Sequence, residues 1–196
     1  MDNSKKTYFA SDLHLGTPNY EASLVREKSF VAWLNEIQED CEELFLVGDI
    51  FDFWFDYKTV VPKGFVRILG KLAEFTDQGI PVHYFKGNHD MWMSGYFEKE
   101  LGFIIHDDNY SFEKNGVKFV VGHGDGKGPG DRKYKILKKV FRNPICKFAF
   151  KWIHPDLGMA LAQYWSRKSR YGNGEKKEKF LGEEREWLIQ YIKKKH

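Results

Sequence analysis

Four short apolar segments of this 196-residue chain each end in residues that can bind a metal ion. Apolar runs of this length are typical of buried strands, and a buried strand that ends in a carboxylate delivers that group to the edge of its sheet. The segments and the motifs that follow them are 8–10 with Asp12-Leu13-His14, 44–47 with Gly48-Asp49-Ile50-Phe51-Asp52, 82–85 with Gly87-Asn88-His89-Asp90, and 117–121 with Gly122-His123-Gly124-Asp125. We expect these groups to share one metal site, with Asp49 between two ions.

Each motif alone has an ordinary structural explanation. Asp-x-His and Gly-Asp after a strand are common turns, Asn-His-Asp suits an Asx turn, and His123 suits a hydrogen-bonded core histidine. The ordered set of four favours a shared site, because independent loops would rarely produce it. Carboxylate and imidazole ligands without a thiolate suit Mn²⁺, Fe²⁺ or Zn²⁺. Two such ions about 3.5–4 Å apart would clamp a phosphoryl group, and Asp49 is the natural anionic bridge.

Composition narrows the class of protein. The length suffices for one core with an insertion, and a net charge of +3 is too small to indicate a nucleic-acid partner. Cys41 and Cys146 fit no zinc or redox spacing, so we expect reduced thiols in a cytosolic compartment. The first residues run straight into a strand, so we expect no secretion signal. No apolar run approaches the ~20 residues of a membrane span.

Strands and helices alternate in the hydrophobic pattern, which predicts an α/β layered fold. The predicted strands are 7–10, 44–47, 82–85, 103–106, 110–112 and 117–121, and the predicted helices are 22–38, 65–78, 92–101 and 183–195. Asn115-Gly116 predicts a two-residue hairpin turn. Asn143-Pro144 and His154-Pro155 are expected to break the helices between them. We expect a core at 1–125, a helical cap at 126–180 and a C-terminal helix at 181–196 that returns to the core.

The four motifs resemble those of the calcineurin-like metallophosphoesterases, whose fold is a β-sandwich flanked by helices around a two-metal centre. Within that superfamily the chain is similar to the UDP-2,3-diacylglucosamine hydrolases of lipid A synthesis. Residues 11–16, 47–54 and 123–125 and the helical insertion carry this closer match. The resemblance implies a metal-dependent hydrolase that cleaves the diphosphate of UDP-2,3-diacylglucosamine to UMP and 2,3-diacylglucosamine 1-phosphate.

The resemblance also implies a role for each motif residue. Asp12, His14 and Asp49 would hold the first ion, and Asp49, Asn88 and His123 the second. His89 would face the phosphate as an acid or charge stabiliser, with Asn88 beside it, and both would contact substrate. We favour Mn²⁺ over Fe²⁺ or Zn²⁺. The residues of the insertion that would grip the substrate head group are Asp131, Ser169, Asn173 and Lys176.

One feature of the superfamily is missing from this sequence. A fifth motif, Gly-His-x-His, supplies one ligand to each ion and follows a strand after the last helix. The sequence stops at His196, before any such strand. We therefore expect a truncated chain that lacks the last strands of the second sheet. Each ion would keep three protein ligands, so metal affinity and turnover would fall.

The helical insertion has two explanations. It is either an ordinary amphipathic cover for the sheet or an apolar cap that takes acyl chains and rests on an anionic membrane. Basic residues beside Phe and Trp on short helices are typical of an interfacial segment, and the aromatic loop 51–57 would line the same cleft. We expect a cytoplasmic protein, peripheral at the cytoplasmic face of the inner membrane, with a lipid-linked nucleotide substrate and no nucleic acid.

Two other functions stay open on this sequence. The same site would serve a broad-specificity phosphodiesterase or nucleotide pyrophosphatase, and a decayed site would leave a non-catalytic membrane-associated protein. His83, His106 and His154 have no partner at a metal-binding spacing, so we expect them to be structural.

Overall fold

The computed structural model of the chain describes residues 5–124, 138–171 and 189. The strands and helices in chain order are β1 Lys6–Ala10, α1 Tyr20–Ile37, β2 Cys41–Val47, α2 Val66–Asp77, β3 Val82–Phe85, α3 Tyr96–Leu101, β4 Ile104–His106, β5 Tyr110–Lys114, β6 Val117–Val121, α4 Pro144–Lys151 and α5 Pro155–Tyr171. Residues 138–142 are also helical.

The first four strands form one parallel sheet in the order β1-β2-β3-β4. A helix lies in each connection, as parallel pairing requires. Parallel neighbours end at the same edge of a sheet, so the segments after β1, β2 and β3 meet there. The predicted α/β layered fold is confirmed.

The two faces of this sheet carry different layers. Leu44 and Leu46 of β2 are fully buried in one cluster with Leu34 of α1 and Leu72 of α2. Between them in sequence, Phe45 points to the opposite face, because successive side chains on a strand alternate. Its ring stacks on Phe112 of β5 with centroids 5.2 Å apart. Helices therefore cover one face, and the β5–β6 hairpin covers the other.

The hairpin turn has the conformation that its sequence predicts. Strands β5 and β6 pair antiparallel, with Lys114 opposite Val117. Asn115 and Gly116 between them have φ angles of 53° and 74°, as a two-residue primed turn requires. The Lys114 ammonium donates to the Thr7 hydroxyl at 2.6 Å, which ties the hairpin to β1.

The helix predicted over 92–101 begins later than its pattern indicates. Trp92 pairs with Phe55 in a parallel bridge instead of entering the helix. The buried Asp56 carboxylate accepts from the backbone N–H groups of Ser94 and Tyr96, so a distant loop caps α3. A capping group 40 residues away in sequence leaves no local signal.

The helical segment 138–171 packs on the core through aromatic contacts. The predicted breaks are confirmed: Asn143 caps α4 by accepting from the Ile145 N–H at 2.8 Å, and α5 begins at Pro155. The Trp92 indole donates to the Phe141 carbonyl at 2.7 Å. The predicted junction at 125–126 and nearly all of the 181–196 helix lie outside the described residues.

Among the residues that the structure describes, no helix combines the length and apolar character needed to cross a membrane.

Candidate metal centre

The segments after β1 and β2 stay paired beyond the ends of their strands. The His14 N–H donates to the Asp49 carbonyl and the Leu15 N–H to the Ile50 carbonyl, both at 2.9 Å. The Asp52 N–H returns to the Leu15 carbonyl at 2.8 Å. This backbone ladder holds the first two motifs side by side.

The backbone at three candidate ligands is in the left-handed region. Asp12, His14 and Asp49 have φ angles of 56°, 44° and 54°. Positive φ is uncommon for residues other than glycine, and such strained residues cluster at functional sites. The conformation turns successive side chains toward one point at the sheet edge.

Two glycines are required by close approach. A Cβ atom on Gly87 would lie 2.0 Å from Asp49 Oδ1, and one on Gly48 would lie 2.6 Å from the His123 ring. Any side chain at either position would displace a candidate ligand. The glycine of each motif therefore makes room for the centre.

The carboxylate and imidazole groups form two triplets that share Asp49. One contains His14, Asp49 and His89, and the other contains Asp12, Asp49 and His123, with ligand atoms within 4.8 Å of one another in each. Atoms bound to one cation at about 2.0–2.2 Å lie roughly 3–4 Å apart. His14 Nε2 lies 3.9 Å from Asp12 Oδ1 and 4.0 Å from Asp49 Oδ2, so the predicted pairing of Asp12 with His14 also fits.

The orientation of His123 suits a ligand of a cation. Its Nδ1 lies 2.9 Å from the Val47 carbonyl, which only accepts, so Nδ1 carries the proton in that bond. Nε2 then faces Asp49 Oδ2 at 3.3 Å and Asn88 Oδ1 at 3.4 Å. A backbone carbonyl in this role is the usual way that a metal-binding histidine is oriented.

Asp49 remains ionised although it is almost fully buried. Burial raises the pKa of its carboxyl, but the hydrogen bond and charge of His123 and the His89 N–H outweigh this, so the pKa lies below its ordinary value. The His89 N–H donates to Asp49 Oδ1 at 3.0 Å. A buried carboxylate that stays ionised keeps the negative charge that a bridge between two cations needs.

His89 is oriented by Asp52, a residue to which sequence reasoning gave no role. His89 Nδ1 lies 2.9 Å from the Asp52 carbonyl and 3.5 Å from Asp52 Oδ1. The same carboxylate lies 3.9 Å from His14 Nδ1 and accepts the Ser166 hydroxyl of α5 at 3.0 and 3.1 Å. Asp52 thus connects the helical segment to two histidines of the centre.

Asp90 and Arg26 are two further residues to which sequence reasoning assigned no role. The fully buried Asp90 carboxylate accepts from the N–H groups of Ile50 and Gly87 and from the Tyr84 hydroxyl, which fastens the second motif to the third. The Arg26 guanidinium of α1 donates to three carbonyls of the loop after β1. The only sequence signal for Asp90 is its place beside Asn88 and His89.

Some residues predicted from the sequence are not described by the structure, and one expectation is wrong. Asp131, Asn173 and Lys176 and the side chain of Ser169 are outside the described residues. The expectation that the 51–57 loop lines the substrate cleft is wrong for much of the loop, because Phe51, Trp54 and Phe55 are buried in the core. The phenyl rings of Phe51 and Phe97 stack there instead, with centroids 5.9 Å apart.

His83 and His106, for which we expect a structural role, contact each other. His83 Nδ1 lies 2.9 Å from His106 Nε2, and both residues sit in strands of the parallel sheet. This pair is structural, as expected, and lies apart from the two triplets.

The residues present fit a divalent metal centre. Carboxylate, imidazole and amide oxygen ligands converge on the sheet edge, and the described part of the centre contains no thiolate. Hard oxygen ligands mixed with imidazole suit first-row divalent ions.

Comparison with known proteins agrees with this geometry. The family model of the calcineurin-like phosphoesterases matches residues 5–185. A UDP-2,3-diacylglucosamine hydrolase of Porphyromonas gingivalis is 39% identical over 96% of this chain and 76% of its own length. The Yersinia pestis enzyme of the same name is 28% identical over 89% of this chain and 71% of its own. A solved protein of unknown function from Aquifex aeolicus gives a TM-score of 0.40 at 20% identity over 69% of this chain and 71% of that one, too low to support any argument. The chain belongs to the calcineurin-like phosphoesterase family, and it is a metallophosphoesterase-type hydrolase.

Proposed function

We propose that the chain hydrolyses the diphosphate of UDP-2,3-diacylglucosamine to UMP and 2,3-diacylglucosamine 1-phosphate. The observation that carries this proposal is the convergence of Asp12, His14 and His123 on Asp49, as a site for two ions requires. The Porphyromonas gingivalis relative that bears this activity in its name spans 96% of the chain, which supports the substrate.

In this proposal Asp12, His14 and Asp49 hold one divalent ion, and Asp49, Asn88 and His123 hold the other. The ions, for which we propose Mn²⁺, would lower the pKa of a bound water and neutralise phosphoryl charge. Val47 and Asp52 hold the imidazoles of His123 and His89 in place through hydrogen bonds at 2.9 Å. Such preorganised groups need no rearrangement during the reaction.

We assign His89 to the reacting phosphate, with Asn88 beside it. Because His89 Nδ1 donates to the Asp52 carbonyl, its other nitrogen is turned away from that bond. From there it would donate a proton to a phosphoryl or leaving-group oxygen. For the contacts to the substrate head group we propose Asp131, Ser169, Asn173 and Lys176.

We also propose that α4 rests on an anionic membrane surface, at the cytoplasmic face of the inner membrane. Its Ile145 and Phe148 side chains are 76% and 63% exposed, and Trp152 directly after it is 79% exposed. The exposed Lys151 lies in the last turn of α4, directly before Trp152. Exposed apolar groups beside basic ones are what binding at a lipid interface requires.

The experiment incubates the purified chain with Mn²⁺ and UDP-2,3-diacylglucosamine and follows UMP and the lipid phosphate by mass spectrometry. The fully deacylated substrate serves as the comparison. Strong preference for the diacylated form supports the proposal. Equal rates on both forms would instead indicate a broad-specificity nucleotide pyrophosphatase. A chain that binds the metal but turns over neither form would contradict the proposed enzymatic activity.

Membrane binding is tested by flotation with anionic phospholipid vesicles. The variant Phe148→Ser/Trp152→Ser should bind about tenfold or more weakly, since each exchange removes one large apolar anchor. Val25→Ser, which exchanges a 64% exposed apolar side chain on α1, is the matched control and should bind as the parent chain does. Equal binding by all three chains would rule out α4 as the membrane contact.

A further inference from the structure

A cavity of about 290 Å³ opens beside the metal centre, between the core and the helical segment. Neither Asn88 nor His89, the residues assigned to substrate within the described part of the chain, is in its lining. Its lining includes Gly87, His123, Lys86 and Asp107 from the core and Arg142 and Lys147 from the helical segment.

The cavity has an excess of positive charge. Among the residues that the structure describes, four basic side chains and two carboxylates line it, the latter being Asp107 and Asp108. Lys86 Nζ binds Asp107 Oδ1 at 2.8 Å, and this bond keeps the pKa of Asp107 below its ordinary value. Among residues 5–124 and 138–171, neither Arg142 nor Lys147 has a carboxylate within 4.0 Å. Within that part of the chain these two cations have no fixed counter-ion, and they would attract an anionic ligand to the cavity.

The surroundings of Lys147 agree with this excess. Burial lowers the pKa of its ammonium, and the charges of Lys86 and Arg142 lower it further, with Asp107 acting in the opposite direction. A phosphate group placed among these cations would offset the repulsion between Lys147, Lys86 and Arg142. Arginine and lysine together supply planar and point-charge donors, both of which bind phosphate.

We propose that this cavity is a nucleotide pocket, which receives the nucleoside monophosphate half of the substrate with its phosphate against Arg142 and Lys147. The inference rests on the proposed function and adds the side of the centre on which each half lies. In the described part of the lining, Phe85 and Met91 are the large apolar side chains, too few for acyl chains. Asp108 and Asn109 offer acceptors for ribose hydroxyls, and the volume suits a small polar ligand.

The test titrates UMP into the full chain and the variant Arg142→Gln/Lys147→Gln by calorimetry, at fixed Mn²⁺ and ionic strength. The variant should bind UMP about tenfold or more weakly, because it loses two charge-assisted contacts. Arg67→Gln/Lys28→Gln makes the same exchanges at exposed positions of α1 and α2 and should bind UMP as the parent chain does. Arg142→Gln alone, at an exposed site, gives a smaller loss and repeats the test with one exchange.

Inorganic phosphate and glucose 1-phosphate are titrated in parallel. Binding of either as tightly as UMP, or unchanged UMP binding by Arg142→Gln/Lys147→Gln, would overturn the nucleotide pocket even if the chain hydrolyses UDP-2,3-diacylglucosamine. Conversely, a chain that fails to hydrolyse that glycolipid but binds UMP through Arg142 and Lys147 keeps the pocket and loses the proposed substrate. The two proposals therefore fail separately.

Discussion

The metal centre and the helical segment differ in how strongly the surrounding chain buries and constrains their residues. Asp49, the shared residue of the centre, is 3% exposed and is held by backbone and imidazole groups on several sides. Helix α4 buries none of its residues, and Trp152 after it is 79% exposed. Backbone and side-chain contacts fix the centre from within, whereas α4 presents Ile145 and Phe148 to the outside and only Phe150 to the core aromatics.

This difference matches the different functions that we propose for the two regions. Groups that must meet within a few ångströms lie where strands and a backbone ladder constrain them, as a catalytic arrangement requires. Groups that meet a lipid surface need exposed area more than exact placement. Changes in the centre should therefore cost far more activity than equally large changes in α4.

The largest effect is expected for Asp49→Asn. Asparagine tolerates the left-handed backbone and can still accept the His89 N–H, so the fold should persist. Loss of the shared charge should lower Mn²⁺-dependent hydrolysis by about a thousandfold or more. Calorimetry measures Mn²⁺ binding and a turnover assay measures hydrolysis. The exposed Asp77→Asn serves as the control. A variant that turns over normally would end the two-ion role of Asp49.

A smaller but still large effect is expected for Gly87→Ala, which removes no ligand. The new Cβ would lie 2.5 Å from the Asp49 backbone nitrogen, so the loop must move. Mn²⁺ affinity should fall about 10- to 100-fold, and stability by about 1–3 kcal/mol.

Gly70→Ala is the matched control for Gly87→Ala. Gly70 lies in α2 with open space around it, so alanine should raise stability by about 0.5–1 kcal/mol through helix propensity. Thermal unfolding and Mn²⁺ titration of both variants provide the comparison. If Gly87→Ala binds Mn²⁺ like the parent chain, the centre is less tightly packed than its geometry indicates.

Ser166→Ala tests the contact between the two regions. It removes the hydroxyl donor from the buried Asp52 carboxylate, which lies near both His14 and His89. Turnover should fall about tenfold through kcat, since the loss of a hydrogen bond to a charged group is worth roughly 1.5–3 kcal/mol. Ser166→Thr should restore most of it, and Ser29→Ala on α1 should change nothing. A change in KM alone would mean that Ser166 contacts substrate instead of positioning Asp52.

Sequence reasoning anticipated the part of the centre that lies on strands. Alternating apolar segments and their polar ends place Asp12, Asp49 and Asn88 at one sheet edge, because parallel strands end together. His123 follows β6 of the separate antiparallel hairpin, so its place at the centre depends on how that hairpin packs on the sheet. It missed the contact between Asp52 and Ser166, which are 114 residues apart. No periodic pattern marks such a contact, since it depends on where α5 packs.

The same holds for the fold: features with a local sequence signal are predicted, and features that depend on distant residues are not. Strand periodicity and the Asn115-Gly116 turn are local signals, and the structure confirms them. The start of α3 was placed too early because its cap, Asp56, comes from another loop. The burial of Phe51 and Trp54 was also missed, because a dense aromatic loop suits a cleft wall and a core equally well.

The smallest effect concerns His83 and His106, which lie outside both regions. Their hydrogen bond at 2.9 Å needs one lone pair and one N–H, so at least one ring is neutral. Burial lowers the pKa of His83, and burial together with the charge of His83 lowers that of His106. Between these lowered values and about 6.5 the unfolded chain binds more protons, so stability is constant above that pH and falls below it.

His83→Phe keeps an aromatic ring on Phe45, where the two rings now stack at 4.4 Å, and removes one titrating group. The loss of Tm between pH 7.5 and 5.5 should therefore shrink by roughly 2–4 °C. The exposed His154→Gln should keep the slope of the parent chain. If His83→Phe also keeps that slope, acid sensitivity originates in the histidines of the metal centre, and the pair at the sheet contributes packing alone.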